Sequence, residues 1–499
     1  MTSDAAAPAT DWTALSVCLF FFALVTVLGF VASRWKRPQT MDHIDEWGLG
    51  GRQFGTWITW FLVGGDFYTA YTVIAVPALV YAVGAYGFFA LPYTIIVYPI
   101  VFMIMPLLWQ RAKDHGYVTA GDVVHGIYGS RGLELAVAAT GVIATMPYIA
   151  LQLVGMAAVL KALGLTGELP MVIAFVILAL YTYSSGLRAP ALIAFVKDIM
   201  IYIVIIVAVG IIPYKLGGYA NIFASAEAAF AAKGSGSTLV NDNMVVAYAT
   251  LALGSALAAF MYPHTLTGIF ASNGKNTIRK NAVLLPAYTL LLGLIALLGY
   301  MGHAAGLKVE NNNDIVPALF QSLFPSWFTG FAFAAIAIGA LVPAAVMSIG
   351  AANLFTRNFW KAYVNPNVSH AGEAQVAKIT SLVVKVGALL VITFLPTQFA
   401  LDLQLLGGIW IIQTLPALVF GLYTHWFRAR GLLTGWFFGF GIGTFLVWWN
   451  GWKPLQPFLF GETSFSVYIG LIALAINIAV AVLVNAATPE RSARSAVHS

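Results

Sequence analysis

Thirteen long apolar stretches fill the chain, and two of them are interrupted at matching places. The first interruption is Gly64-Gly65-Asp66, inside the run from Trp57 to Val80; the second is Tyr262-Pro263-His264, inside the run from Val245 to Phe270. In hydrocarbon every backbone polar group must find its partner within the protein, so a helix surrounded by lipid gains nothing from such breaks. They become useful where freed carbonyls and amides face an ion or a solute. Paired interruptions in two halves of a chain point to a carrier's binding site near mid-bilayer. These two stretches therefore narrow the reading from membrane protein to carrier.

Hydrophobic residues occupy 60% of the 499 positions and charged residues only 9%, where a soluble domain carries about 25%. The net charge of +6 is dispersed among short segments, so it is no nucleic-acid patch. The single cysteine, Cys18, leaves no internal disulfide and no cysteine-built metal site. No phosphate loop and no His/Glu metal constellation stands in any stretch, so neither an ATPase nor a membrane enzyme is expected. The amino terminus has no Lys or Arg before its first apolar run, which argues against a cleaved signal.

Crossing the hydrocarbon takes roughly 20 apolar residues. The expected spans, numbered zero to twelve, are 12–33, 56–80, 85–109, 133–160, 170–185, 190–213, 244–270, 282–303, 327–352, 378–396, 399–423, 431–449 and 464–486. With the amino terminus outside, eighteen of the 25 Lys and Arg residues fall in cytoplasmic segments, five outside and two (Lys197, Lys385) within spans. That bias sets the orientation, with the carboxyl terminus cytoplasmic. Short surface helices are expected at 225–232 and 314–324. Gly435, Gly439 and Gly443 read as small-residue helix packing rather than a nucleotide loop.

Asp66 falls near mid-depth, where a carboxylate costs several kcal/mol without a partner. Beside Gly64 and Gly65 it suits a hard cation or a proton; the plainer reading is an acid capping a bend. His264 follows the Pro263 kink and could meet a carboxylate, carry a proton, or simply bond a carbonyl. Lys197 and Asp198 are adjacent, about 100° apart on a helix, so they are not expected to face each other; Lys197 is expected to reach toward the interface. Lys385 is a candidate partner for Asp198. Tyr148, Gln152 and Gly155 share one face after Pro147, as a cavity lining or a packing stripe. Gly407-Gly408-Ile409-Trp410 with Gln413 reads as a flexible break and gate.

Four segments together resemble the sodium/solute symporter family, which includes the bacterial proline and vertebrate glucose carriers. They are Trp47-Gly-Leu-Gly-Gly-Arg52, Gly64-Gly65-Asp66-Phe67, Ser185-Gly-Leu-Arg-Ala189 with Lys197-Asp198, and Ala344-Ala345-Val-Met-Ser348. The stretches Gly65-Asp-Phe-Tyr-Thr-Ala-Tyr-Thr72 and Met146-Pro-Tyr-Ile-Ala-Leu-Gln-Leu153 are similar to the bacterial monocarboxylate permeases within it. The resemblance covers roughly residues 45–425. It implies an all-α polytopic membrane protein of about 13 transmembrane helices. The core would be an inverted five-plus-five repeat with discontinuous helices, of the amino-acid/cation symporter type. The division would be 1–45 (extra helix and loop), 46–213 (first repeat), 214–425 (outer loop and second repeat) and 426–499 (peripheral helices and tail).

A family sodium site carried over falls on carbonyls of Gly64, Phe67 and Ala345 and the hydroxyl of Ser348. The usual second hydroxyl is replaced by Ile349, which leaves Na+ or H+ open as the coupling ion. The expected ion-coupling set is Gly64, Asp66, Phe67, Asp198, Ala345 and Ser348. The expected substrate shell is Gly65, Tyr68, Tyr71, Tyr148, Gln152, Tyr262, His264, Trp410 and Gln413. The function implied is import of short monocarboxylates (lactate- or pyruvate-like, with acetate, propionate or alanine as relatives) across the bacterial inner membrane. The alternatives are symport of another small solute, such as an amino acid, or a passive channel. No cofactor and no nucleic acid is expected, and the sequence leaves the oligomeric state open.

Overall fold

The computed structural model describes residues 10–35, 40–65, 68–165, 167, 169–394, 400–461 and 463–488. Asp66 and Phe67 lie outside the described residues, as do Lys36, Arg37, Arg491 and Arg494 of the charge count. Among the described residues, eleven helices are long and apolar enough to cross a membrane. The two remaining stretches are shorter apolar helices: Tyr71–Val83 after the first interruption, and Leu169–Ser185.

Both interruptions are present. Span one is Thr56–Gly64, then Tyr71–Ala75 with π geometry running into Val76–Val83. Span six is Val245–Ala259 followed by Pro263–Phe270. The innermost element is span eight, Ser326–Phe355, which packs on spans zero (Trp12–Val31), three (Arg131–Ala162), five (Arg188–Lys215) and nine (His370–Phe394). Its run of Ala, Gly and Ser lets neighbours approach closely; a Cβ at Gly350 would lie 2.8 Å from the Pro263 carbonyl carbon. Spans eleven (Ala429–Trp449) and twelve (Ile469–Ala487) form a peripheral pair. There Gly435 and Gly439 receive Asn477, and Gly443 receives Ala473, as expected for small-residue packing.

Two motif segments hold each other. Gly186 is left-handed (φ +55), and a Cβ there would sit 2.1 Å from the Trp47 carbonyl, so only glycine is free of strain at this contact. The Leu187 amide donates to the same carbonyl at 2.9 Å, and the buried Arg188 guanidinium donates to the carbonyl and carboxylate of Glu46. The Gly-Arg segment at 47–52 is thus clamped to the start of span five.

Three expectations need correction. Residues 464–468 are not helical: Leu455–Phe460 and Thr463–Tyr468 form an antiparallel hairpin, and span twelve starts at Ile469. The alternation Ser464-Phe-Ser-Val-Tyr468 carried that period-two signal inside an apolar run. The loop helix at 225–232 is longer, Gly218–Lys233, whereas the one at 314–324 is found as Ile315–Leu323. Gly407-Gly408 is not a break either, since helix Ala400–Ile411 runs straight through it. Those glycines admit close contacts instead: a Cβ at Gly407 would lie 2.5 Å from the Ala144 carbonyl, and one at Gly408 2.5 Å from the Tyr468 hydroxyl.

Candidate functional site

At the first break the loose backbone ends are taken up by side chains from other spans. Gly65 still closes the first half-helix through its amide to Phe61 O, 2.8 Å. The second half starts at Thr69, whose hydroxyl caps the Tyr71 amide at 3.0 Å. The Ala70 amide donates to Gln152 Oε1 of span three, also at 3.0 Å. The carbonyls of Gly65 and Tyr68 each accept a hydrogen bond from Lys197 Nζ of span five at 2.9 Å. A neutral amide oxygen thus meets the amide end of the second half, and a buried ammonium meets the carbonyls on either side of the break.

Lys197 therefore does not reach the interface. It is fully buried, and its ammonium lies 2.8 Å from Asp198 Oδ1, a charge contact outside good hydrogen-bond geometry. Asp198 Oδ2 accepts from the Tyr288 hydroxyl of span seven at 2.8 Å. The rings of Tyr68, Tyr202, Tyr288 and Trp60 close around this group, with Tyr68 and Tyr288 4.6 Å apart. The glycines are needed for approach as well as bending. A Cβ at Gly64 would lie 2.3 Å from the Tyr288 ring, and one at Gly65 2.9 Å from Lys197 Nζ. A free monovalent cation about 4 Å from this ammonium would meet roughly 4 kcal/mol of repulsion at an effective dielectric of 20.

The second break is packed more than bonded. Tyr262 is extended (φ −61, ψ 140) and Pro263 opens the following half-helix, where its missing N–H leaves nothing unsatisfied. The Tyr262 hydroxyl donates to Gln404 O of span ten at 3.0 Å. Tyr148, Tyr262 and His264 form a trio of rings, with centroids 5.2 to 5.3 Å apart. A cleft reaching this break is lined by Thr119, Met261, Pro263, Thr267, Asn353 and Thr414.

Span three joins the two breaks. Tyr148 touches the second, Gln152 bonds the first, and Gly155 lets Ala70 close in (a Cβ would be 2.3 Å from the Ala70 Cβ). The second half of span one also packs on spans three and ten. On these elements the Tyr71 hydroxyl, Ser255 Oγ, His264 Nδ1 and Gln404 Oε1 are buried without a hydrogen-bond partner. Buried polar atoms left in this state are uncommon and call for a reason; a small polar ligand between the spans would give one.

Other expected positions are placed elsewhere. Trp410 turns to span eleven, where its indole N–H donates to Thr444 Oγ1 at 3.0 Å. Gln413 is locked to Asn477 and to the carbonyls of Ile409 and Gly470. Both side chains were expected in the substrate shell, and both instead fasten the peripheral pair, because the uninterrupted helix through Gly407-Gly408 fixes that face outward. Ser348 donates to Ala345 O at 2.8 Å and shares a hydrogen bond with Ser381 of span nine at 3.1 Å. Lys385, buried beside them, donates to Ser381 Oγ at 3.0 Å and is no partner of Asp198. Sequence reasoning left Lys197, Tyr288, Ser255, Gln404 and Ser381 out of the site. For Lys197 a signal existed: an ammonium inside an apolar span is a site candidate by default.

Residues 47–439 match the family model described as "Sodium:solute symporter family". The chain is 81% identical, over 99% of itself and 99% of the relative, to the "Monocarboxylate transport permease protein" of Rhizobium johnstonii. It is 31% identical to the "Uncharacterized symporter YodF" of Bacillus subtilis, over 95% of this chain and 93% of that one. A solved structure of a Na+-coupled sialic acid symporter, substrate-bound and outward-open, superposes with a TM-score of 0.76. It covers 96% of this chain and 98% of its own, at 14% identity, and so speaks for the fold. By the extent of the family match and the identity of these relatives, this integral membrane protein belongs to the sodium:solute symporter family.

Proposed function

We propose that the protein imports short monocarboxylates by symport with a monovalent cation, Na+ or H+. The observation that carries this reading is the pair of interrupted helices bridged by span three, with Tyr71, Ser255, His264 and Gln404 holding unpaired polar atoms around them. A buried hydroxyl or imidazole N–H suits a carboxylate, and the half-helix amino end at Pro263 adds a favourable dipole. The name of the Rhizobium johnstonii relative supports the substrate class, and the family description supports sodium. Moving an anion inward against a negative interior costs about 2.3 kcal/mol per charge per 100 mV, which a co-transported cation offsets.

Tyr148, Tyr262 and His264 are the proposed cargo contacts, with Gln152, Gly65, Tyr68 and Tyr71 shaping the first break around it. Asp198, Gly64, Ala345 and Ser348 are the proposed ion-coupling positions. The proposed division is 46–213 and 214–425 for the two repeats, flanked by 1–45 and 426–499. The protein would lie in the bacterial inner membrane with its amino terminus outside. The test is uptake of labelled lactate or pyruvate into proteoliposomes, with and without imposed Na+ or H+ gradients. Failure of every short monocarboxylate to enter or exchange sinks the substrate reading. Entry driven by neither gradient sinks symport.

A further inference from the structure

The first break already holds a cation, and that cation is attached to the chain. Lys197 Nζ has Gly65 O and Tyr68 O at 2.9 Å and Asp198 Oδ1 at 2.8 Å. An ammonium has three donors and no acceptor, and three oxygens surround this one. They are the ligands a hard monovalent ion would seek in a broken helix: carbonyls released by the break, and a carboxylate.

The span-eight side is turned the same way. The Ser348 hydroxyl donates to Ala345 O and shares a hydrogen bond with Ser381, and Ser381 in turn receives the second buried ammonium, Lys385. Ile349 offers no side-chain oxygen beside it.

We infer that the coupling ion of this carrier is a proton, carried on Lys197, whose ammonium stands where a sodium ion would otherwise bridge the halves of span one. This rests on the symport reading above and names its ion. With Lys197 protonated, the carbonyls of Gly65 and Tyr68 are tied to span five and the break is held closed on that side. When Lys197 gives its proton to water, leaving a neutral amine, two of its donor bonds to the carbonyls weaken and span one is released from span five. Reprotonation from the other side of the membrane restores the tie, so one proton crosses per cycle. Among the described residues, the groups facing Lys197 are Asp198 and Tyr202 on its own span, Tyr68 from span one, and Tyr288 from span seven, which holds Asp198 through its hydroxyl. None of these is a second ammonium or guanidinium.

The experiment uses the full-length protein in proteoliposomes. Exchange of labelled for unlabelled pyruvate without any gradient tests the substrate reading alone. An inward gradient of about one pH unit is equivalent to about tenfold accumulation per proton. Wild type in sodium-free choline medium is expected to reach that order, and an inward Na+ gradient at equal pH is expected to add less than about twofold. Lys197→Arg keeps a charge that is not surrendered, so it is expected to lose proton-driven accumulation; Lys197→Met is expected to lose it too. Accumulation driven by Na+ and not by the pH gradient, or Lys197→Arg accumulating like wild type, overturns the inference while leaving the carrier reading in place. Absence of exchange for pyruvate and every other short monocarboxylate overturns the substrate reading instead. The ion is then decided on the purified protein: replacing choline with sodium should leave the wild-type Tm unchanged, and a saturable rise overturns the inference. The same melting curves show whether each variant is folded.

Discussion

The two interrupted helices face one backbone problem and meet it with different materials. The first break is bonded: Gln152 takes the Ala70 amide, and Lys197 takes the carbonyls of Gly65 and Tyr68 under the charge of Asp198. The second is packed: proline removes the amide that would need a partner, and Gly141, Gly350 and Gly407 let spans three, eight and ten press on Pro263 and Tyr262. A bonded break can be loosened by moving one proton or one charge. A packed break can only be displaced as a body. In the cycle proposed above, the first break senses the ion and the second shapes the cargo pocket.

The largest expected effect is on the first break. Lys197→Met leaves Asp198 buried without its ammonium, and unfolding in detergent should become easier by about 3–5 kcal/mol. Lys197→Met/Asp198→Asn should recover part of that loss. A single variant as stable as wild type would mean that the charges hold nothing. Next comes Gly350→Ala at the packed break, where the new methyl meets backbone of Pro263 at 2.8 Å. Overpacking there should cost about 1–3 kcal/mol, and a cost near zero would mean that span eight has room to shift. Gln152→Leu strands the Ala70 amide and should cost about 1–2 kcal/mol, while Gln152→Glu, which keeps the acceptor once its buried carboxyl is protonated, should cost less at low pH. If both behave alike, the amide is satisfied some other way.

His264→Gln separates stability from transport: stability should fall by about 0.5–3 kcal/mol, while the KM for pyruvate exchange rises in protein that remains folded. Equal losses in both would make His264 a packing residue. Smallest is Trp410→Phe, which gives up the bond to Thr444 for about 0.5–1.5 kcal/mol. Because that side chain faces span eleven, substrate affinity should stay unchanged; a raised KM would return Trp410 to the cargo shell.

Much of this layout was legible from the residue string. The interruptions at Gly64-Gly65 and Tyr262-Pro263 and the Tyr148/Gln152/Gly155 face all stand where the string puts them. So do the small-residue stripe at Gly435, Gly439 and Gly443 and the loop helix near 315. These are local signals: hydropathy, helical spacing, and the backbone limits of proline and glycine act within a few residues. The hairpin before span twelve was missed because a period-two pattern was embedded in an apolar run long enough to pass for membrane helix. Trp410 and Gln413 were misplaced because a Gly-Gly pair inside a helix signals a break and a close approach equally well.

By itself, then, the sequence determined that the chain lives in a membrane, where its helices are cut, and which face of span three looks at the cuts. Partnership was decided only by tertiary structure. Lys197 and Gly65 are 132 residues apart, and Tyr288 reaches Asp198 across 90. Whether a long flexible ammonium points to water or to a carbonyl depends on which oxygens the other spans bring within about 3 Å. No local pattern encodes that choice; it is settled when the spans pack and the freed carbonyls of one helix need a donor that another can supply.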